Sequence, residues 1–148
     1  SYGVPGATWV EPKATRDAFA AAFPDTHMAF LDACALQIRI GGYLFVHAGI
    51  RPGVPLAAQT REDLIWIREP FLSTQIDFGV KVVHGHTIVP HVEHHANRIA
   101  VDTGAIRTGV LSCVVLEGDA AALLTAAGPK PLPVGAGLPS WRNLWLRR

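Results

Sequence analysis

Tyr43-Leu44-Phe45-Val46-His47-Ala48-Gly49 and Val80-Lys81-Val82-Val83-His84-Gly85-His86-Thr87 decide how this chain is read. Each is an apolar, β-branched or aromatic run of strand length. Such runs are too apolar to face water on both sides, which predicts burial within an α/β sheet. Each ends in histidine, with glycine one or two residues on. A strand end is a rigid mount for a polar side chain, and glycine lets a ligand approach the backbone closely. Two such mounts predict a site at the C-terminal edge of a sheet.

Outward from the first run, Leu36-Gln37-Ile38-Arg39-Ile40 alternates apolar and polar residues, and Gly41-Gly42 suits a tight hairpin turn, so residues 36–47 are predicted to form a β-hairpin that delivers His47. Upstream, helices are predicted from Lys13 to Ala22 and from a Thr26 cap to about Cys34, with Met28, Phe30 and Leu31 available for burial. Between the two runs, Pro52, Gly53 and Pro55 mark a loop. Thr60-Arg61-Glu62-Asp63 reads as an N-cap opening a helix to about Arg68. Downstream, Ile88–Glu93 is predicted to pair with Arg98–Asp102, and Gly109–Glu117 with Ala120–Ala126 across a Gly118-Asp119 turn. The expected division is a domain over residues 1–127 and a Pro/Gly-rich, extended tail over 128–148, with Trp141 and Trp145 as a terminal aromatic pair.

The chain has 148 residues, with 49% hydrophobic and 17% charged content, enough for one modest core and too apolar for wholesale disorder. A net charge of +1 gives no electrostatic case for nucleic acid or a membrane surface. No apolar run is long enough to span a bilayer, and a cytoplasmic location is expected. Cys34 and Cys113 stand alone in apolar surroundings and are expected to be buried free thiols.

Several residues admit two readings. Arg68, read from its neighbours alone, is a surface arginine paired with Glu62 or Glu69. His84 and His86 would share one face of a strand, but the glycine between them is expected to bend the chain, with His84 left to packing. His91, His94 and His95 could suggest zinc, but are expected to be exposed loop residues. Asp102 is expected to serve the turn Asp102-Thr103-Gly104-Ala105 before any site.

Four stretches together resemble the C-terminal half of a calcineurin-like metallophosphoesterase, in its bacterial and phage serine/threonine protein phosphatase branch. They are residues 46–53 (Val46-His47-Ala48-Gly49-Ile50-Arg51-Pro52-Gly53), 64–68 (Leu64-Ile65-Trp66-Ile67-Arg68), 84–87 (His84-Gly85-His86-Thr87) and 97–105 (Asn97 to Ala105). The specificity lies in their order and in the 39 positions separating His47 from His86. The resemblance covers roughly residues 25–118. It implies a four-layer α/β/β/α sandwich with mixed sheets. It also implies hydrolysis of phosphomonoesters by metal-activated hydroxide at two divalent ions, Mn, Fe or Zn. His47 and His86 would be metal ligands, and Arg68 would hold the substrate phosphate. The substrate would be a phosphorylated protein or a small phosphoester.

The family's first half carries Asp-x-His, Gly-Asp-x-x-Asp-Arg-Gly and Gly-Asn-His-Glu motifs, which this chain is expected to lack. The chain is therefore expected to be inactive by itself, to bind one ion weakly or none, and to self-associate or require the missing N-terminal half. The alternatives are a non-catalytic binding module on the same scaffold, a dinucleoside polyphosphate hydrolase parent, and a different metalloprotein using the histidine loop.

Overall fold

A computed structural model describes residues 2–4 and 11–136. The chain divides into two compact units, Ser1–Ala35 and Leu36–Arg148. The expected pair at Trp141 and Trp145 lies outside the described residues.

The first unit holds helices α1 (Pro12–Ala22) and α2 (Asp25–Ala33). Proline suits the first helical position of α1, where its missing N–H would have no partner. Pro24, not Thr26, precedes α2, and no side chain caps it; Asp25 instead places a negative charge in its first turn. Tyr2, Phe19, Phe23 and His27 form an aromatic cluster, and Tyr2 Oη lies 3.0 Å from His27 Nδ1. Neither helix buries a residue, and Met28, Phe30 and Leu31 are exposed against expectation.

The second unit is built on a five-stranded mixed sheet in the order β1-β2-β3-β5-β4. Strands β1 (Gln37–Ile40) and β2 (Tyr43–Val46) form the expected antiparallel hairpin through Gly41-Gly42. Parallel pairing then joins β2 to β3 (Lys81–His84) and β3 to β5 (Arg98–Ala100), and β4 (Glu93–His94) runs antiparallel at the edge. The pairing expected from Ile88 shrinks to these two residues because Pro90 lacks the ladder donor. A second, antiparallel sheet contains β6 (Val114–Glu117), β7 (Ala120–Thr125) and β8 (Gly128–Pro131). Two helices complete the unit, α3 (Arg61–Trp66) and the single-turn α4 (Ala105–Thr108). The fold is thus mixed α/β. Among the described residues, no helix is long and apolar enough to cross a membrane.

Strand alternation sorts the core into two clusters. On one face, Leu44 and Val82 pack with Ala48, Ile50, Leu64, Ile67, Phe71 and Val80, so α3 covers this side. On the other, Val83 and Ile99 pack with Val92, Leu132 and the inner residues of the second sheet, including Val114, Leu116 and Leu123. The chain thus covers both faces of β3 itself, so the demand for an outside partner does not arise at this strand. The apolar residues left exposed on the sheet are Ile38 and Ile40, on the edge strand β1.

Three further expectations are corrected. Cys34 and Cys113 are both exposed. Cys34 terminates a helix that buries nothing, and Cys113 precedes β6 at an edge of the three-stranded sheet. The strand expected from Gly109 begins only at Val114, because left-handed Gly104 and Gly109 bracket α4. The tail is not free from Gly128: β8 pairs with β7, and Leu132 is buried between the sheets. The prolines are tolerated because β8 is an edge strand.

Gly49 follows His47 by two residues and is buried. A Cβ placed there would overlap the ring of Phe71, itself fully buried. Gly49→Ala should therefore lower stability in urea unfolding by about 1–3 kcal/mol, the usual cost of overpacking. An unchanged midpoint would show that Phe71 can yield.

Candidate functional site

Two parallel neighbours place the histidines. Phe45 pairs with Val83, so the segments leaving β2 and β3 emerge side by side at one edge. Gly85 N–H donates to the His47 carbonyl at 2.9 Å, extending the ladder one step beyond the strands. A side chain on Gly85 would stand over this contact and over Asp102, whose Cβ lies 3.4 Å from the position of such a Cβ. His86 then turns the chain in the left-handed region, with φ 63°. That conformation costs a non-glycine residue of order 1 kcal/mol and occurs where the surroundings impose it.

The turn brings the His86 ring to 5.1 Å from that of His47, centroid to centroid. Trp66, at the end of α3, meets the His86 ring edge-on at 5.5 Å. His47 is exposed and His86 partly buried, but His86 Nε2 is buried and has no hydrogen-bond partner. Thr87 Oγ1 is likewise unpartnered. Leaving such a group unsatisfied costs about 1–3 kcal/mol, so a buried orphan beside a second imidazole points to a partner the protein lacks by itself.

Burial and the net effect of the surrounding charges favour the neutral form of His86. Burial pushes its pKa down, the Arg68 and His47 charges push the same way, and Asp102 opposes them. A neutral imidazole is the form that binds a metal. His84 has the role expected of it. It is buried edge-on against Phe71 at 4.9 Å, and burial is the main cause of a pKa lowered to about 4. Its Nδ1–H donates to the Gly85 carbonyl at 3.2 Å.

Arg68 is exposed, and among the described residues it is in no ion pair with Glu62 or Glu69. Glu69 accepts instead from Ser73 at 2.5 Å. The helix before Arg68 is anchored by a pair that the sequence reading did not anticipate. Asp63 is buried and takes both Arg51 Nε (2.9 Å) and Nη2 (2.5 Å), while Thr60 caps the helix through Asp63 N–H at 3.1 Å. The Arg51 guanidinium holds the Asp63 carboxyl below its ordinary pKa. This pair ties the loop after His47 to the helix that carries Trp66.

Beside the histidines opens a cavity of about 420 Å³ between the main sheet and the residues leading into β6. Phe45, Val83, Val101 and Leu111 give it apolar walls; His86, Asp102 and Ser112 contribute polar groups. Asp102 Oδ1 accepts from Gly104 N–H at 2.9 Å, as the turn reading expected. Thr103 and Ser112 were not singled out from the sequence; their hydroxyls lie 2.8 Å apart across the turn.

The histidine loop is corrected. His91 is exposed, but His94 is only 3% exposed and His95 is largely covered. They hydrogen-bond to Lys81, the Leu132 carbonyl and Glu93. The physical reason is that β4 pairs with β5 on one side and residues 132–136 lie along its other side. A further correction concerns Asp-x-His: the triplet does occur, as Asp25-Thr26-His27. It opens helix α2 in the first unit rather than standing at a strand end. Among the described residues, no group of three or more histidine, cysteine or acidic side chains is placed to hold a metal ion.

No family model and no curated protein matches this chain.

The electrostatics yield a direct expectation. In an NMR titration, Arg68→Ala should raise the pKa of His86, and Asp102→Asn should lower it. No movement in either variant would place both charges too far away to matter at the site.

Proposed function

We propose that this chain supplies two imidazole ligands and a phosphate-holding arginine to a metal-dependent phosphomonoesterase of the calcineurin-like type. The observation that carries the reading is the pairing of His47 and His86 at 5.1 Å, with the His86 Nε2 buried and unpartnered. The donor set fits in part. Two neutral nitrogens suit zinc, or more weakly nickel, and no carboxylate stands with them as Mn²⁺ prefers. His47 and His86 would hold the ion, and further ligands would have to come from another segment or chain. When bound, a divalent ion supplies an acidified water and a clamp on phosphoryl oxygens. Arg68, exposed and in no ion pair among the described residues, would orient the phosphate through its planar fork. The cavity beside the histidines gives room for the rest of the ester.

The finer fold belongs to the same proposal. An α/β/β/α sandwich is supported by α3 outside the main sheet and the second sheet packed on its other face. Exposed Ile38 and Ile40 on β1 support association with a second copy or a complementary segment.

Calorimetric titration with Zn²⁺ at pH 7.5 tests the centre. One weak site per chain is expected, absent in His47→Ala and in His86→Ala and retained in Arg68→Ala. Zinc binding indifferent to both histidines would overturn the assignment. With only two nitrogen ligands, the chain should turn over p-nitrophenyl phosphate negligibly with Mn²⁺; robust turnover abolished by His47→Ala would mean the ligand set is already complete. Where the ligand set is completed, Arg68→Ala should lower kcat/KM roughly ten- to hundredfold without loss of metal, the equivalent of one charge-assisted pair.

A further inference from the structure

Residues 132–136, Leu132-Pro133-Val134-Gly135-Ala136, lie along the edge strand β4 and are tied to it at a single residue, His94. Its backbone N–H donates to the Ala136 carbonyl at 3.0 Å, and its carbonyl accepts from Gly135 N–H at 2.6 Å. Its ring adds two contacts, one to each side. Nδ1 is 2.7 Å from the Leu132 carbonyl, and Nε2 is 2.8 Å from Lys81 Nζ on β3.

The partners fix the state of the ring. An ammonium has hydrogens and no lone pair, so Nε2 must accept. A carbonyl has lone pairs and no hydrogen, so Nδ1–H must donate. The neutral Nδ1–H tautomer alone satisfies both. A proton added at Nε2 would turn the acceptor into a donor facing a donor, with two cations 2.8 Å apart at a buried site.

We propose that His94 is an acid-sensitive latch: its neutral ring straps residues 132–136 onto the main sheet, and its protonation releases them. Among the described residues, no carboxylate is in an ion pair with the His94 ring. The strapped segment contains no titratable side chain. On β4 itself, Glu93 is engaged by His95 at 2.9 Å. From β5 the buried Arg98 acts on the neighbouring His95, where burial and this charge hold the pKa down. From the turn between β6 and β7, Asp119 acts on Lys81, favouring its charged form. Burial first, and then the Lys81 charge, hold the His94 pKa below the ordinary histidine value, with the Leu132 carbonyl opposing. The sign follows. A group whose folded pKa is depressed lends stability that is complete above its unfolded value, about 6.5, and is lost as the pH falls below it. Leu132 is buried between the two sheets, so release withdraws a core residue as well as three hydrogen bonds to His94 and loosens β8.

Amide hydrogen exchange on the full chain, corrected for intrinsic rates, reads this directly. Protection of the His94 and Gly135 amides should fall by up to about tenfold per pH unit as the pH drops below roughly 6.5, the slope of one proton. The Val82 and Val101 amides, bonded within the main sheet, should keep theirs. His94→Gln retains an acceptor for Lys81 but cannot titrate, so the fall should vanish. Lys81→Met removes the opposing cation and should flatten it. Constant protection of the two latch amides from pH 7.5 to 5 would overturn the latch. So would an undiminished slope in His94→Gln or, should that variant fail to fold, in Lys81→Met.

Discussion

The fold depends on one constraint, the burial of β3 on both faces and its parallel pairing on both sides. Val82 and Val83 point to opposite clusters, and no residue from Val82 to His84 can be solvated. A parallel neighbour cannot be reached by a tight turn. The chain therefore leaves β2 on a long excursion through α3 before it returns as β3, and it makes a second, shorter excursion before β5. Both excursions begin at the same sheet edge. His47 opens the first and His86 lies at the start of the second, so their proximity follows from the topology that buries β3. Gly49 and Gly85 permit it, since a side chain at the first meets Phe71 and at the second crowds Asp102 and the His47 carbonyl.

The polar groups that this burial traps behave in two ways. Most are satisfied by backbone carbonyls. Asn97 donates to Thr74 and Ile76, and Arg98 to Leu72 and Thr74, so the pair clamps the segment after Phe71 against β5. Among the described residues, the buried ring nitrogens without a partner are those of His84 and His86. Their surroundings separate them. His84 Nε2 belongs to a ring enclosed edge-on against Phe71, and its lone pair is simply a cost of packing there. Both rings border the cavity, but His86 is the less buried of the two and stands against another imidazole, on a backbone held at positive φ. Strain and an orphaned acceptor at a cavity rim together argue for a ligand in a way that neither does in a core.

Local pattern carried much of this into the sequence. The hairpin at residues 36–46, the Thr60 cap and the β6–β7 turn are each determined by neighbours in the chain, and each stands where periodicity and turn chemistry put it. The two histidine-bearing runs were legible because apolar continuity and a terminal glycine are themselves local. What was not legible depended on residues far apart. His94 sits in a polar, turn-like word, and its burial comes from a segment thirty-eight residues later. Prolines at 129 and 131 argued for a free tail, yet an edge strand tolerates them. Asp63 showed its capping role, and its ion pair with Arg51 carried no signal in spacing. The cysteines misled because apolar neighbours in the sequence do not guarantee cover when the element itself, such as α2, buries nothing.

The buried and half-buried histidines share one electrostatic logic. His84 and His95 feel Arg98, His86 feels Arg68, and His94 feels Lys81; in each case burial and a neighbouring cation push the ring toward neutrality. Arg98 is central because it is 5% exposed and has no carboxylate within ion-pair distance among the described residues, and a guanidinium keeps its charge under such conditions. A fixed interior cation of this kind makes added positive charge unwelcome throughout the β4–β5 edge. Neutral imidazoles are what both proposed roles require, a free lone pair at His86 and an acceptor at His94. The same field that keeps His86 ready for a cationic ligand also opposes that ligand's charge. A metal bound there would need compensating anionic ligands, and Asp102, already turned toward Gly104, supplies at most a distant share. That imbalance is the physical reason for looking to carboxylates from another segment or chain to complete the centre.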